Sequence, residues 1–261
     1  MKIATWNINS IRIRLDLIKR FIDAVAPDVI CLQEIKVETD SFPADAVRAL
    51  GYPHQMIRGM KGYNGVAILS RAPLGEGDSR DWCARADARH VAALLPGGVE
   101  LHNFYVPAGG DVPDREKNDK FAHKLDFLAE MTDWSGKTPA ARRILVGDLN
   151  IAPLETDVWS HRQLLRVVSH TPIEVEGLDR LMASTGWVDA VRHFIPPEEN
   201  LYTWWSYRNR AWPGSDKGRR LDHVWITPQL RPKLKGAVVV RDARGWPNPS
   251  DHVPVVVDLD I

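Results

Sequence analysis

The chain has 261 residues, 44% of them hydrophobic, and its 34 basic and 34 acidic side chains leave no formal net charge at pH 7. Such a chain can bury a large core, and its balanced charge excludes the uniformly basic surface that many nucleic-acid binders carry. Two cysteines, Cys31 and Cys83, are too few for a disulfide framework and lack metal-ligand spacing, so a reducing, cytoplasmic compartment is expected. The opening MKIATWNINS has no signal-peptide core and no run approaches membrane-spanning length, so no membrane partner is expected.

In chain order, IATWNI (3–8) reads as a strand, and Ser10 can cap a helix whose apolar residues Ile11, Leu15, Ile18, Ile22 and Val25 recur at helical spacing. Pro27 marks its end. VICLQ, GVAILS, HVAALL and VELHNFYV follow as strands. After the PAGGD loop, DREKNDKFAHKLDFLAEMTDW reads as a long helix, and RILVGD, LDHVWIT and VPVVVDL complete the strand set. No repeat, low-complexity tract or linker interrupts the series, so one domain over 1–261 is expected. Strands in this number, some hairpin-like and some separated by helices, predict an α/β fold: two mixed β-sheets packed face to face, helices outside.

Several polar residues fall where such strands end. Asn7, Glu34, Asp148 and Asn150 stand at the C-terminal ends of apolar runs, whereas Asp222 and the Asp251/His252 pair open one. If the last strands run antiparallel to the others, all of these side chains meet at one rim of the sandwich. Each has an ordinary alternative as a turn former or solvated loop residue, but the joint placement marks a site. Carboxylates and amides without thiolate or HExxH spacing favour a hard cation bound through oxygen, Mg²⁺ or Mn²⁺. A histidine beside a carboxylate can be held in one tautomer and then stabilise charge or move a proton. His161 and His170 lack that context and read as surface residues. The segment from Trp204 to Arg220 mixes Trp and Tyr with Arg208, Arg210, Lys217, Arg219 and Arg220, the composition of a nucleic-acid contact or of a solvated basic loop.

The motifs WNINSIR, DVICLQEIKV, GYNGVAILSR, NFYVPAGG, GDLNIAP, RLDHVWI and SDHVPV, in this order, resemble the exonuclease III class of apurinic/apyrimidinic endonucleases, within the endonuclease/exonuclease/phosphatase superfamily. The resemblance runs nearly end to end. It implies Glu34 as the main metal ligand with Asn7 and Asp251 close by, Asp148 and Asn150 at a second metal position, and one or two ions. It further implies that Asp148 orients or deprotonates the attacking water, that Asn150 holds phosphate or water, and that Asp222 orients His252 towards the scissile phosphate. Tyr105 would support the leaving group, Tyr63 and Arg89 would contact the DNA backbone, and Trp204 matches an aromatic position of the pocket for an extruded abasic sugar.

The implied activity is metal-dependent hydrolysis of duplex DNA by a monomer, 5′ to abasic sites and at recessed 3′ ends. Two positions depart from the pattern. Ala108 replaces an amide side chain that reaches a phosphate in many members, and Arg219 replaces a bulky apolar pocket residue. A phosphoesterase of the same fold acting on a small phosphorylated substrate is the alternative, and a silent nucleic-acid-binding module a third reading. The aromatic and basic WWSYR…RRLDH stretch speaks for the nuclease.

Overall fold

The computed structural model describes residues 1–137, 142–209 and 211–261; Arg210 of the basic segment lies outside them. One six-stranded sheet contains β1 (Lys2–Asn7), β2 (Val29–Gln33), β3 (His54–Arg58), β4 (Val66–Ser70), β11 (Leu234–Val239) and β12 (Val255–Leu259) in the order β11-β12-β1-β2-β4-β3. The other contains β5 (Gly75–Glu76), β6 (His90–Leu95), β7 (Val99–Tyr105), β8 (Arg143–Asp148), β9 (Val188–Asp189) and β10 (Asp222–Ile226) in the order β5-β6-β7-β8-β10-β9.

Each sheet has one parallel pair at its centre, β1/β2 and β7/β8, with antiparallel pairs on either side. Helices α1 (Leu15–Val25) and α3 (Asp119–Lys137) make the two parallel crossovers, and α2 (Ala44–Ala49), α4 (His161–Leu164) and α5 (Pro172–Thr185) follow β2 and β8. The two sheets therefore share one winding order. The first differs only in taking its outer hairpin, β11–β12, from the far end of the sequence.

The sheets pack through Ile3, Val29, Cys31 and Val66 on one side and Leu101, Ile144, Val146 and Val224 on the other. The alternate residues are also buried. Trp6, Ile30 and Leu32 lie under Ile18 and Phe21 of α1, and Phe104, Leu145 and Trp225 lie under Phe127 of α3 and Leu181 of α5. Burial on both faces explains why the central strands read as unbroken apolar runs rather than alternating ones.

The expected strands are all present, shortened at some ends, and the sandwich is as expected. Four details differ. Ser10 does not cap α1: the chain turns at Asn9 and Ser10 with φ of 47° and 86°, Ile11–Ile13 form a 3₁₀ turn, and α1 starts at Leu15. The long helix begins at Asp119, where the Asn118 side chain accepts the Lys120 amide at 3.1 Å, and not at Asp114. Strands β3 and β11 lie at sheet edges and are partly exposed, β11 with a register shift between Leu234 and Gly236, so neither carries a strong apolar pattern. His170 is buried and bonded to the Ala152 carbonyl at 2.6 Å and to His161 at 2.8 Å, so it is not a surface residue.

Candidate active site

The parallel pairs point their C-terminal ends to one rim, and β10 and β12 begin there because they run antiparallel. Asn7 and Tyr105 thus end β1 and β7, Asp148 ends β8, Asp222 opens β10 directly opposite Asp148, and His252 precedes β12. A Cβ on Gly147 would overlap the Phe104 carbonyl, so glycine is required for β8 to approach β7 just before Asp148. Glu34 and Asn150 leave their strands in the left-handed region, with φ of 49° and 54°; for Glu34 this is a strained conformation of the kind that clusters at functional sites.

Hydrogen bonds join the two sheets through this rim. Asn7 Nδ2 donates to Glu34 Oε1 and to Asp148 Oδ2, both at 2.9 Å, and the Tyr105 hydroxyl donates to Glu34 Oε1 at 2.8 Å. Asn7 therefore shows its amide nitrogen to both carboxylates, while its oxygen accepts the Asn9 backbone amide at 3.1 Å. The Asn150 backbone amide donates to Asp148 Oδ1 at 2.9 Å, and its side chain donates to the Val106 carbonyl at 3.0 Å. His252 Nδ1 meets Asp222 Oδ2 at 2.8 Å and its Nε2 lies 3.6 Å from Asp148 Oδ2. Thr203 donates to the same Asp222 oxygen at 2.6 Å. Asp251 accepts from Trp204 Nε1 at 3.0 Å and from Asn9 Nδ2 at 3.1 Å.

These contacts set the charges. Burial opposes protonation of His252, but the Asp222 and Asp148 carboxylates outweigh it and raise its pKa to about 10. Burial, reinforced by the charges of Asp222 and Glu34, raises the Asp148 carboxyl to about 7. Glu34 moves the other way: burial opposes its ionisation, yet the Lys36 ammonium at 2.7 Å and the Asn7 amide lower its pKa. Asp251 is likewise lowered against burial, by His252 and by its Trp204 and Asn9 donors. Burial, with the charges of Glu34 and Asp148, raises Tyr105 well above the usual phenol range, so it keeps its proton.

The donor set suits a hard cation. Glu34, Asp148, Asn150 and Asp251 bring oxygen donors to one cleft of about 550 Å³. No thiol competes, since Cys31 lies in the core and Cys83 behind β6 and β7, against Glu130 of α3. Among the described residues, Asp148, Asp222 and His252 bring metal-competent atoms within 4.8 Å of one another, but His252 already turns both nitrogens to carboxylates. That trio is a histidine held between two carboxylates, and Glu34 and Asp251 are the other carboxylates that line the cleft.

The residues expected to meet DNA fall on both flanks. Tyr63, 70% exposed, and Arg89 line a hollow next to the cleft; Arg89 bonds the Tyr105 carbonyl at 3.3 Å and lies 4.8 Å from its ring centroid. Trp204, Arg208 and Arg219 line the opposite wall of the cleft, and Ala108 lies between the two flanks. The Arg219 guanidinium stacks 5.3 Å from the Trp204 centroid and donates to the Val168 carbonyl and Ser169 Oγ at 2.9 and 2.7 Å.

Four partners were not foreseen. Lys36 and Asn9 bridge Glu34 to Asp251, with Lys36 Nζ to Asn9 Oδ1 at 2.6 Å. Beneath the cleft, Lys124 of α3 and Glu174 of α5 form a fully buried ion pair. Lys124 also donates to the Asn150 carbonyl at 2.8 Å, and Glu174 accepts the Ser169 amide at 2.9 Å, so the pair braces both Asn150 and the seat of Arg219. A lysine in an amphipathic helix carries no signal that it is buried. The T-P-x-E of the α5 capping box, Thr171 to Glu174, was the one available cue to Glu174.

This geometry has counterparts. The chain is 29% identical over 272 residues to exodeoxyribonuclease III of Haemophilus influenzae, covering 98% of each. It superposes with a TM-score of 0.91 at 31% identity, over the whole of both chains, on the 3′ phosphatase NExo from Neisseria bound to a product DNA hairpin. The same values hold for an AP endonuclease from Archaeoglobus fulgidus. The sequence profile of the Endonuclease/Exonuclease/phosphatase family matches residues 4–252, from β1 to the histidine paired with Asp222, and the chain belongs to that family.

Proposed function

We propose that the protein is a metal-dependent DNA-repair nuclease that hydrolyses the phosphodiester 5′ to abasic sites and acts at 3′ ends of duplex DNA, as 3′–5′ exonuclease and 3′ phosphatase. The observation that carries this reading is His252, held by Asp222 and facing Asp148, in a cleft whose wall is Trp204, Arg208 and Arg219. The activities named for the relatives support it.

In this reading Glu34 and Asp251 would hold one Mg²⁺ or Mn²⁺, Asn7 keeps Glu34 and Asp148 together, and Asp148 with Asn150 would offer a second position. When bound, such an ion would supply positive charge to offset the negative charge of the reaction. Asp148 takes the proton of the water that attacks phosphorus, and Asn150 aligns that water. His252, already an imidazolium, stabilises the charge that builds on the phosphate oxygens, and Asp222 keeps it charged and aimed. The bond from phosphorus to the 3′ oxygen breaks, and Tyr105 supports that oxygen as it leaves. Tyr63 and Arg89 track the backbone on one flank, and Trp204, Arg208 and Arg219 on the other. A single domain over 1–261, working as a monomer in the cytoplasm, completes the proposal.

The test is purified protein on one duplex with an internal abasic analogue and another with a recessed 3′ end, with and without Mg²⁺. Incision 5′ to the analogue is expected. No cleavage of either duplex, together with hydrolysis of a small phosphorylated compound, would replace the nuclease by the phosphoesterase.

A further inference from the structure

Beyond Trp204 lies a second hollow, of about 340 Å³, that the cleavage cleft does not include. Among the described residues, two indoles, Trp159 and Trp204, and three cations, Arg208, Lys217 and Arg219, line it, and no carboxylate does. Lys217 Nζ lies 4.8 Å from the Trp159 centroid. The neighbouring acid, Asp216, is engaged elsewhere: it accepts Trp205 Nε1 at 2.7 Å and pairs with Arg241 at 2.8 Å. The walls share a frame with the reaction centre, because Val158, Arg219, Trp204 and His252 bridge side by side and the Trp159 amide bonds the Gly218 carbonyl at 3.1 Å.

We propose that this hollow is a subsite for one base of the bound DNA, distinct from the nucleotide at the scissile phosphate, with the Trp159 and Trp204 side chains stacking the base and Arg208, Lys217 and Arg219 receiving its phosphate. The inference rests on the nuclease reading. Partly exposed indoles offer planar apolar area that any base can cover, and stacking of this kind tolerates sequence, as a repair enzyme requires. Three cations without an acid exclude a positively charged or acid-recognising partner and favour an anion that carries a flat ring. Trp204 and Arg219 form the partition between hollow and cleft, so the base held here lies next to the cut.

Trp159 and Lys217 line the hollow and not the cleft, and they isolate the subsite. Binding of a fluorescent duplex with one abasic analogue is measured by anisotropy in EDTA, which separates binding from cleavage. Bases are deleted one at a time from the nucleotides flanking the analogue on each strand. Trp159→Ala is expected to weaken binding about tenfold and Trp159→Phe to restore most of it. Deleting one particular flanking base should cost the wild type the same factor and cost Trp159→Ala nothing further. Lys217→Ala should flatten the salt dependence by about one phosphate contact. Unchanged binding by Trp159→Ala, or losses that multiply at every flanking position, would overturn the subsite. Wild-type cleavage in Mg²⁺ alongside such a result leaves the nuclease reading standing, whereas coupled losses without any cleavage would remove that reading and keep the subsite.

Discussion

Arg220 and Asp222 stand two residues apart and face two charge clusters of different balance. On one side Arg220 and Arg192 meet Asp157 and Asp189, two cations with two anions, with Arg192 Nη2 at 2.6 Å and Arg220 Nη1 at 3.6 Å from Asp157. Burial opposes both charges, but each partner outweighs it: Asp189 is lowered and Arg220 raised. On the other side, among the described residues, Glu34, Asp148, Asp222 and Asp251 have Lys36 and His252 as their charged partners. There burial, reinforced by the charges of Asp222 and Glu34, pushes Asp148 up to about 7, although His252 opposes the rise. The compensated cluster ties the loop before Asp157 to β9 and β10; the uncompensated one lines the cleft with Glu34, Asp148 and Asp251.

If that division is correct, changes in the two clusters separate activity from stability. The largest expected effect is on the uncompensated side: excess EDTA, or Glu34→Gln, reduces cleavage of abasic duplex below detection while the melting curve stays that of a folded protein. Full wild-type activity in EDTA would break the contrast. Asp157→Asn should do the reverse. It leaves the buried Arg192 without its carboxylate and Arg220 with Asp189 alone, at a cost of about 3–5 kcal/mol, which thermal melting reads as a drop of roughly 10 °C, with activity per folded molecule retained.

Within the reactive cluster, His252→Asn should lower kcat by about 10²–10³, and Asp222→Asn by less. The double change should cost less than the product of the single losses, because Asp222 acts through His252. Fully multiplicative losses in steady-state kinetics would separate the two residues. The smallest effect is on pH. His252 has a folded pKa of about 10 against an ordinary value of 6.5, so its contribution to stability is complete below about pH 6.5 and is lost as pH rises through 10. In EDTA, the gap in melting temperature between wild type and His252→Asn should therefore narrow from pH 7 to pH 10. A constant gap would mean that His252 carries no charge in the folded protein.

The rim was legible because strand ends were legible: Asn7, Asp148 and Asp222 are the polar residues that close or open apolar runs, and antiparallel pairing brings them together. What escaped reading is what tertiary packing decides. Lys36, Asn9 and Lys124 look like surface residues in sequence, and only the folded chain shows the first beside Glu34, the second beside Asp251 and the third against Glu174. Edge strands β3 and β11 bury too little to enforce a pattern, and His170 is buried because Ala152 and His161 satisfy both its nitrogens. Ser10 has the chemistry of a cap, but its left-handed backbone turns it away.

The shared winding of the two sheets has a consequence in time. The second sheet is wound from strands that follow one another in order, whereas the first must wait for β12, which sets Val255 against Thr5. A nascent chain emerges from its N-terminus, and pairing across so long a separation is slow. Glu34 and Asp148 therefore precede His252 in synthesis, and until then β1 lacks its antiparallel neighbour. On the reading proposed above, the reactive cluster is complete only once the closing strand has been made, so an interrupted chain lacks the histidine that cleavage would need.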